Sequence, residues 1–314
     1  MLGWLRRRVR QAYVRHLDRT IGEGPTHVAI IQDGNRRYAR QQGSEAPDGH
    51  RAGAETTEQV LNWCQELGIE ELTIYAFSTE NFSRPPEERE PLFDLIESKL
   101  YELADAERVH DNEMRIRAVG EIELLPDRLR EAIDYAEERT GAYASFNLNV
   151  ALAYGGRAEL LNAARDVLRA VAAGDLSARE VGVDAIDERL SGHPVRDVDL
   201  IIRTGGDERT SNFLPWHANG NEAAVFFCAP YWPEFSKADF LRAIRTYESR
   251  EDSWRRTRTE RAVALVRAVA ETEFVEARAV AGRLREQLSS TGARELNAEL
   301  ERQGESDAGS SYAD

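Results

Sequence analysis

Between residues 27 and 250 the chain alternates short, dense apolar runs with longer segments whose apolar positions recur every three or four residues. The short runs predict strands over 27–31, 72–77, 115–119, 146–153, 198–202 and 223–227. The longer segments predict helices over 51–67, 91–109, 126–139, 157–173 and 237–250, with a short one near 183–190. Pro91 suits a first helical turn, and Gly68 the end of the helix before it. Densely apolar strands, interleaved with helices, predict an α/β fold. Its core is a mainly parallel six-stranded sheet with helices on both faces.

The flanks read differently. Residues 1–24 hold Leu2, Leu5, Val9, Tyr13, Leu17 and Ile21 at helical steps, with Trp4 close by. Within residues 1–21, Arg6, Arg7, Arg8, Arg10, Arg15 and Arg19 stand against the single acid Asp18. A basic amphipathic helix of this kind can lie on an anionic membrane; packing on the body of the domain is the alternative. Beyond the 25–251 domain, helical spacing returns at 262–269 and 274–288, so 252–290 is expected to be a helical extension. Residues 291–314 are too polar to fold alone and are expected to be disordered.

Composition narrows the function. The chain carries 41 basic and 56 acidic residues, a net charge of −15, which argues against a nucleic-acid partner. Lys99 and Lys237 are the only lysines. An acidic surface with arginine in place of lysine suits a salt-rich cytoplasm, and a GC-rich genome accounts for the lysine shortage equally well. Cys64 and Cys228 lie in apolar contexts, as buried thiols of a reducing compartment do. No apolar run reaches the ~18 residues of a membrane span, and the N-terminus has no secretory apolar core. A cytoplasmic protein, peripheral to the membrane at most, is expected.

Chemistry gathers at the strand ends. The first strand runs into Asp33-Gly34-Asn35-Arg36-Arg37-Tyr38, and the second into a polar loop from Ser78 to Pro86. The fourth ends at Tyr154-Gly155-Gly156-Arg157, and the fifth runs into Arg203-Thr204-Gly205-Gly206-Asp207-Glu208-Arg209-Thr210-Ser211. Ligands of parallel α/β sheets bind beyond the carboxyl ends of strands. A carboxylate beside arginines there suits a diphosphate with a divalent metal. Arg203, Arg209 and Ser211 form a candidate second anion site, because guanidinium groups fork onto phosphate oxygens.

These motifs, with Tyr75-Ala-Phe-Ser-Thr-Glu-Asn-Phe82 and Asn149-Val-Ala-Leu-Ala-Tyr-Gly-Gly-Arg157, resemble the cis-prenyltransferases, the undecaprenyl diphosphate synthase-like family. Their order and spacing match over roughly residues 27–250. Arg36 makes the first motif look like the archaeal and eukaryotic form. The resemblance implies condensation of an allylic diphosphate primer, geranylgeranyl or farnesyl diphosphate, with successive isopentenyl diphosphates. The product would be a long polyprenyl diphosphate, precursor of a glycosyl carrier lipid.

By that resemblance Asp33 holds Mg²⁺ against the primer diphosphate, which Gly34, Asn35, Arg36 and Arg37 cradle. Arg203, Arg209 and Ser211 bind isopentenyl diphosphate, with Glu222 as a further Mg²⁺ ligand. His50, Ser78, Glu80, Asn81 and Arg84 fall near the reacting groups and include the candidates for removing the proton; Asn35 is a candidate guide for that step. Phe77 joins the substrate-binding set. Tyr38 and Phe82 do so too, as aromatics where the family usually has tryptophan. A homodimer is implied as well.

Some features depart from the family pattern. Residues 43–49 are polar where the family usually has a basic loop, and the tail lacks an Arg-X-Gly ending. A non-catalytic scaffold subunit is the alternative function, but such subunits lose the aspartate and the diphosphate arginines. Neither a dinucleotide fingerprint nor a phosphate-loop lysine motif is present. Val60, Leu61, Trp63, Leu92, Phe93, Leu95, Ile96 and Leu100 are candidate walls for a lipid tunnel, or ordinary core.

Overall fold

The computed structural model describes residues 2–190, 196–218 and 223–255. In chain order the elements are α1 (Leu2–Thr20), β1 (His27–Ile31), α2 (Asn35–Gln42), α3 (Ala46–Glu66), β2 (Glu71–Tyr75), α4 (Pro86–Asp105), α5 (Glu107–Asp111), β3 (Met114–Val119), α6 (Asp127–Thr140), β4 (Phe146–Ala151), α7 (Gly156–Ala173), α8 (Val183–Asp187), β5 (Leu200–Arg203), β6 (Ala224–Phe227) and α9 (Lys237–Arg255). Met1–Arg250 form one compact unit. The helices expected at 262–269 and 274–288, the polar tail and Glu222 lie outside the described residues.

All six strands pair in parallel, in the order β3-β4-β2-β1-β5-β6. Every residue of β1 is buried, as a central strand covered on both faces requires. Val28 and Ile30 belong to the larger core, with Leu61 of α3, Phe93 of α4, Ile133 of α6 and Phe240 of α9. Ala29 and Ile31 belong to a smaller cluster with Tyr154, Phe213 and Leu214. From β1 the chain moves to β2 on one side and later returns to β5 on the other. That reversal leaves a crevice beyond the carboxyl ends of β1 and β5.

Several boundaries differ from the pattern reading, with identifiable causes. The helix expected from residue 51 starts at Ala46, because Pro47 occupies its first turn and Asp48 complements its dipole. Its buried face there includes Gly53, where an added Cβ would lie 2.4 Å from Asn35 Oδ1. The close approach of α3 to the start of α2 depends on that missing side chain. Likewise Pro86, not Pro91, opens α4, and Pro91 sits inside the helix. At that position it forgoes one intrahelical bond. Phe77 falls beyond β2.

The carboxyl end of α1 is fixed to this unit. Leu17 is fully buried, Ile21 packs on the larger core, and the Gly22 amide donates to Glu248 Oε1 at 2.5 Å.

Candidate active site

Asp33 lies in the turn between β1 and α2, and its backbone is pinned from two directions. Its carbonyl accepts from Thr204 Oγ1 at 2.7 Å and from the Trp232 amide at 3.0 Å. Gly34 then adopts φ +106° as the residue capping α2, so the helix begins directly beside the carboxylate. The exposed amides of a helix start favour an anion.

The carboxylate is shared by two arginines. Arg203 Nη2 donates to Oδ2 at 2.7 Å, and Arg37 Nη2 lies 3.0 Å from Oδ1. Burial disfavours the charge of Asp33, but the hydrogen bonds and charges of Arg203 and Arg37 outweigh it and hold the pKa below the ordinary carboxylate value. Asp33 is therefore ionised at neutral pH.

Asp207 mirrors it from the loop after β5. Its Oδ2 is 3.8 Å from Arg37, 3.3 Å from Arg203 and 3.2 Å from Arg209. Arg203 is almost fully buried and also donates through Nη1 to the Arg209 carbonyl and to Ser211 Oγ, each at 2.5 Å. Three guanidinium groups thus face two carboxylates.

Two cavities meet at this point. The polar one, about 330 Å³, is lined by five arginines (Arg36, Arg37, Arg40, Arg84, Arg209) against two acids, Asp33 and Asp207. In a chain of net charge −15 that local excess of positive charge marks an anion site. The second cavity, about 240 Å³, runs beneath α3 and α4 past Leu61, Leu92, Leu95, Ile96 and Leu100. Gln32, Asp33, Asn35, His50 and Arg84 line both. At this junction Asn35 Oδ1 is buried without a hydrogen-bond partner. Burial first, then the charges of Arg84 and Arg36, lower the His50 pKa to about 4, so its imidazole is neutral.

An anion site opening into an apolar slot is the shape of a lipid diphosphate. A sequence model described as "Putative undecaprenyl diphosphate synthase" matches residues 31–255. The chain belongs to this family.

Its relatives include the tritrans,polycis-undecaprenyl-diphosphate synthase (geranylgeranyl-diphosphate specific) of Haloarcula marismortui, 62% identical over 92% of this chain and 95% of the relative. The enzyme of the same description from Halobacterium salinarum is 66% identical over 87% of this chain and 90% of the relative. Among solved structures, lavandulyl diphosphate synthase from Lavandula x intermedia, in complex with dimethylallyl diphosphate, is 31% identical. It superposes with a TM-score of 0.66 over 71% of this chain and 95% of its own. A probable undecaprenyl diphosphate synthase from Campylobacter jejuni, 32% identical over the same shares, gives 0.58.

Within this family member, the structure gathers most of the residues singled out in the sequence. Asp33, Asn35, His50 and Arg84 line both cavities, Gly34, Arg36, Arg37 and Arg209 the polar one, and Ser78 and Asn81 the apolar one. Ser78 and Asn81 also cap one another: the Ser78 amide donates to Asn81 Oδ1 at 3.1 Å. Arg203 and Ser211 bind each other and line neither cavity. Glu80 is exposed, and Tyr38 and Phe82 line neither cavity. Phe77 is fully buried against Phe82 and Phe93, with ring centroids 5.0 and 4.9 Å away.

Of the candidate tunnel walls, Leu61, Leu92, Leu95, Ile96 and Leu100 line the apolar cavity, whereas Val60, Trp63 and Phe93 are core. Sequence reasoning gave no role to Asp207, Arg40, Gln32 or Glu88, which pairs with Arg36 at 3.0 Å. Two acids, Asp207 and Glu208, interrupt the loop between Arg203 and Arg209, and that interruption was the available signal for Asp207.

Proposed function

We propose that the chain extends an allylic diphosphate, geranylgeranyl diphosphate in preference to farnesyl diphosphate, with successive isopentenyl diphosphates. The product is a long-chain polyprenyl diphosphate that serves as a glycosyl carrier precursor. The supporting observation is the junction at Asp33 and Asn35, where an arginine-lined cavity meets an apolar one. The primer preference rests on the descriptions of the archaeal relatives.

In each cycle the C1–O bond of the primer breaks and its diphosphate leaves with the bonding pair. The isopentenyl double bond attacks C1, and loss of a proton leaves a new cis double bond. Arg36, Arg37 and the start of α2 hold the departing diphosphate. Donors preorganised where charge develops are the largest lever available for such a step. Arg209, backed by Arg203 and Ser211, holds the isopentenyl diphosphate. The apolar cavity holds the hydrocarbon, each buried CH₂ contributing ~0.8 kcal/mol.

Mg²⁺ fits this arrangement. Each Asp33 oxygen takes one guanidinium N–H, which leaves lone pairs for a cation shared with substrate. Mg²⁺ commonly takes one or two carboxylates plus substrate phosphates. When bound, it would neutralise diphosphate charge. Glu222 is part of this proposal as a second carboxylate.

A homodimer belongs to the proposal too, by resemblance. So does peripheral membrane contact through the arginines of residues 1–21. Among the described residues no helix is long and apolar enough to cross a membrane.

Labelled isopentenyl diphosphate offered with a panel of primers, with Mg²⁺ or chelator, tests this reading. Geranylgeranyl diphosphate should give the highest kcat/KM, and chelator should stop incorporation. A farnesyl preference would contradict the primer assignment, and no incorporation with any primer would contradict the function.

A further inference from the structure

The apolar cavity has one charged pair in its wall. α3 and α4 both lead away from the mouth marked by His50 and Arg84. The cavity continues along them through Ala54 and Leu61 on α3, and through Leu92 and Leu103 on α4. On the sheet side it is closed by Ile74 and Val150. Between the helices, Lys99 Nζ lies 2.8 Å from Glu58 Oε1, and both residues line the cavity. Arg108 of α5 holds the other Glu58 oxygen at 3.2 Å, and Glu102 holds Lys99 at 2.7 Å. The Lys99 and Glu58 side chains are 27% and 30% exposed, so the pair meets solvent on one side and the cavity on the other.

That placement is unusual for this chain. Lys99 is one of only two lysines, and an ammonium is a compact, strongly hydrated charge on a flexible stem. Hydrocarbon packed against such a charge displaces its water, which is costly unless the charge stays paired. The cavity volume of about 240 Å³ is below the ~300–1,000 Å³ of pockets for drug-sized ligands. It has room for a short prenyl chain and not for a long product. Elongation must therefore carry the chain out of the cavity, and the seam between α3 and α4 is the side that apolar contacts alone do not close.

We propose that Glu58 and Lys99, braced by Arg108, form a strap across this seam that determines product length. A closed strap confines the growing chain and slows further addition. Its opening lets the chain leave between α3 and α4 and lengthens the product. The inference rests on the prenyl-transfer reading above.

The experiment compares the product distributions of wild type, Lys99→Met, Glu58→Gln and the charge-preserving Lys99→Arg at equal conversion of labelled isopentenyl diphosphate. Thermal melts confirm that each variant is folded. The strap predicts that Lys99→Met and Glu58→Gln shift the mean product upward by at least one isoprene unit, while Lys99→Arg keeps the wild-type distribution. Unchanged or shorter products from both strap-breaking variants overturn the strap. Absence of any product from wild type overturns the prenyl-transfer reading instead.

Discussion

Arg203 and Asp33 stand 170 residues apart in the chain, and their side chains meet at 2.7 Å. The parallel register of β1 and β5 brings this about by setting Ile31 opposite Arg203, two residues before Asp33. Arg203 is 3% exposed, and its guanidinium is the common partner of Asp33 and Asp207. Arg203→Ala is therefore expected to lower stability by about 3 kcal/mol, the scale of breaking a buried pair from one side. Urea unfolding measures it. A loss below about 1 kcal/mol would place the pair with ordinary surface bridges.

Gly205 guards the position of Arg37. It sits at φ +87°, and an added Cβ would lie 2.6 Å from Arg37 Nη2. Gly205→Ala should push Arg37 off Asp33 and raise the primer KM by roughly 10-fold or more, the scale of one lost hydrogen bond to a charged group. Steady-state kinetics with varied primer decide it. An unchanged primer KM would remove Arg37 from the primer site.

His50 predicts a pH dependence. Burial, then Arg84 and Arg36, bring its pKa from 6.5 to about 4 in the fold. As pH falls through that window the unfolded chain binds a proton that the folded chain excludes, so stability is lost; above the window the contribution is complete. His50→Gln should flatten the stability–pH slope between pH 6.5 and 4. The loss at lower pH, where Asp33 is protonated, should persist. An unaltered slope would mean that His50 titrates like a free imidazole.

The arginines of α1 can be tested without removing the helix, which matters because Leu17 is buried and Ile21 packs on the core. Replacing Arg6, Arg7, Arg8 and Arg10 with glutamine should weaken sedimentation with anionic vesicles on the order of 100-fold or more at low salt, at about 1 kcal/mol per charge. Equal sedimentation would assign those arginines to another task.

Legibility in the sequence followed burial. β1 was readable because Val28 to Ile31 are apolar and the whole strand is buried. The start of α3 was not, because its inward face there is Gly49 and Gly53, which carry no apolar signal. An added Cβ at Gly49 would lie 2.1 Å from the Asn35 carbonyl oxygen, so contact with backbone sets that choice. Asp33, Asn35 and the arginines were legible as strand-end charge without a local reason to be there. Asp207 was not, since its role depends on Arg37, which is distant in sequence and 3.8 Å away in space. Phe77 was singled out by the family resemblance alone, and its ring turns into the aromatic core. The Glu58–Lys99 pair joins two helices, and nothing local to either residue signals the contact.

The central claim is that Asp33 would hold Mg²⁺ against a departing diphosphate at the junction of the two cavities. Incorporation of labelled isopentenyl diphosphate onto geranylgeranyl diphosphate, compared between wild type and Asp33→Ala with circular dichroism of both, tests it most directly. Wild type should elongate the primer, and a folded Asp33→Ala should lose at least about 100-fold in turnover, the scale of removing a key electrostatic group. A folded Asp33→Ala that elongates at the wild-type rate would contradict the account.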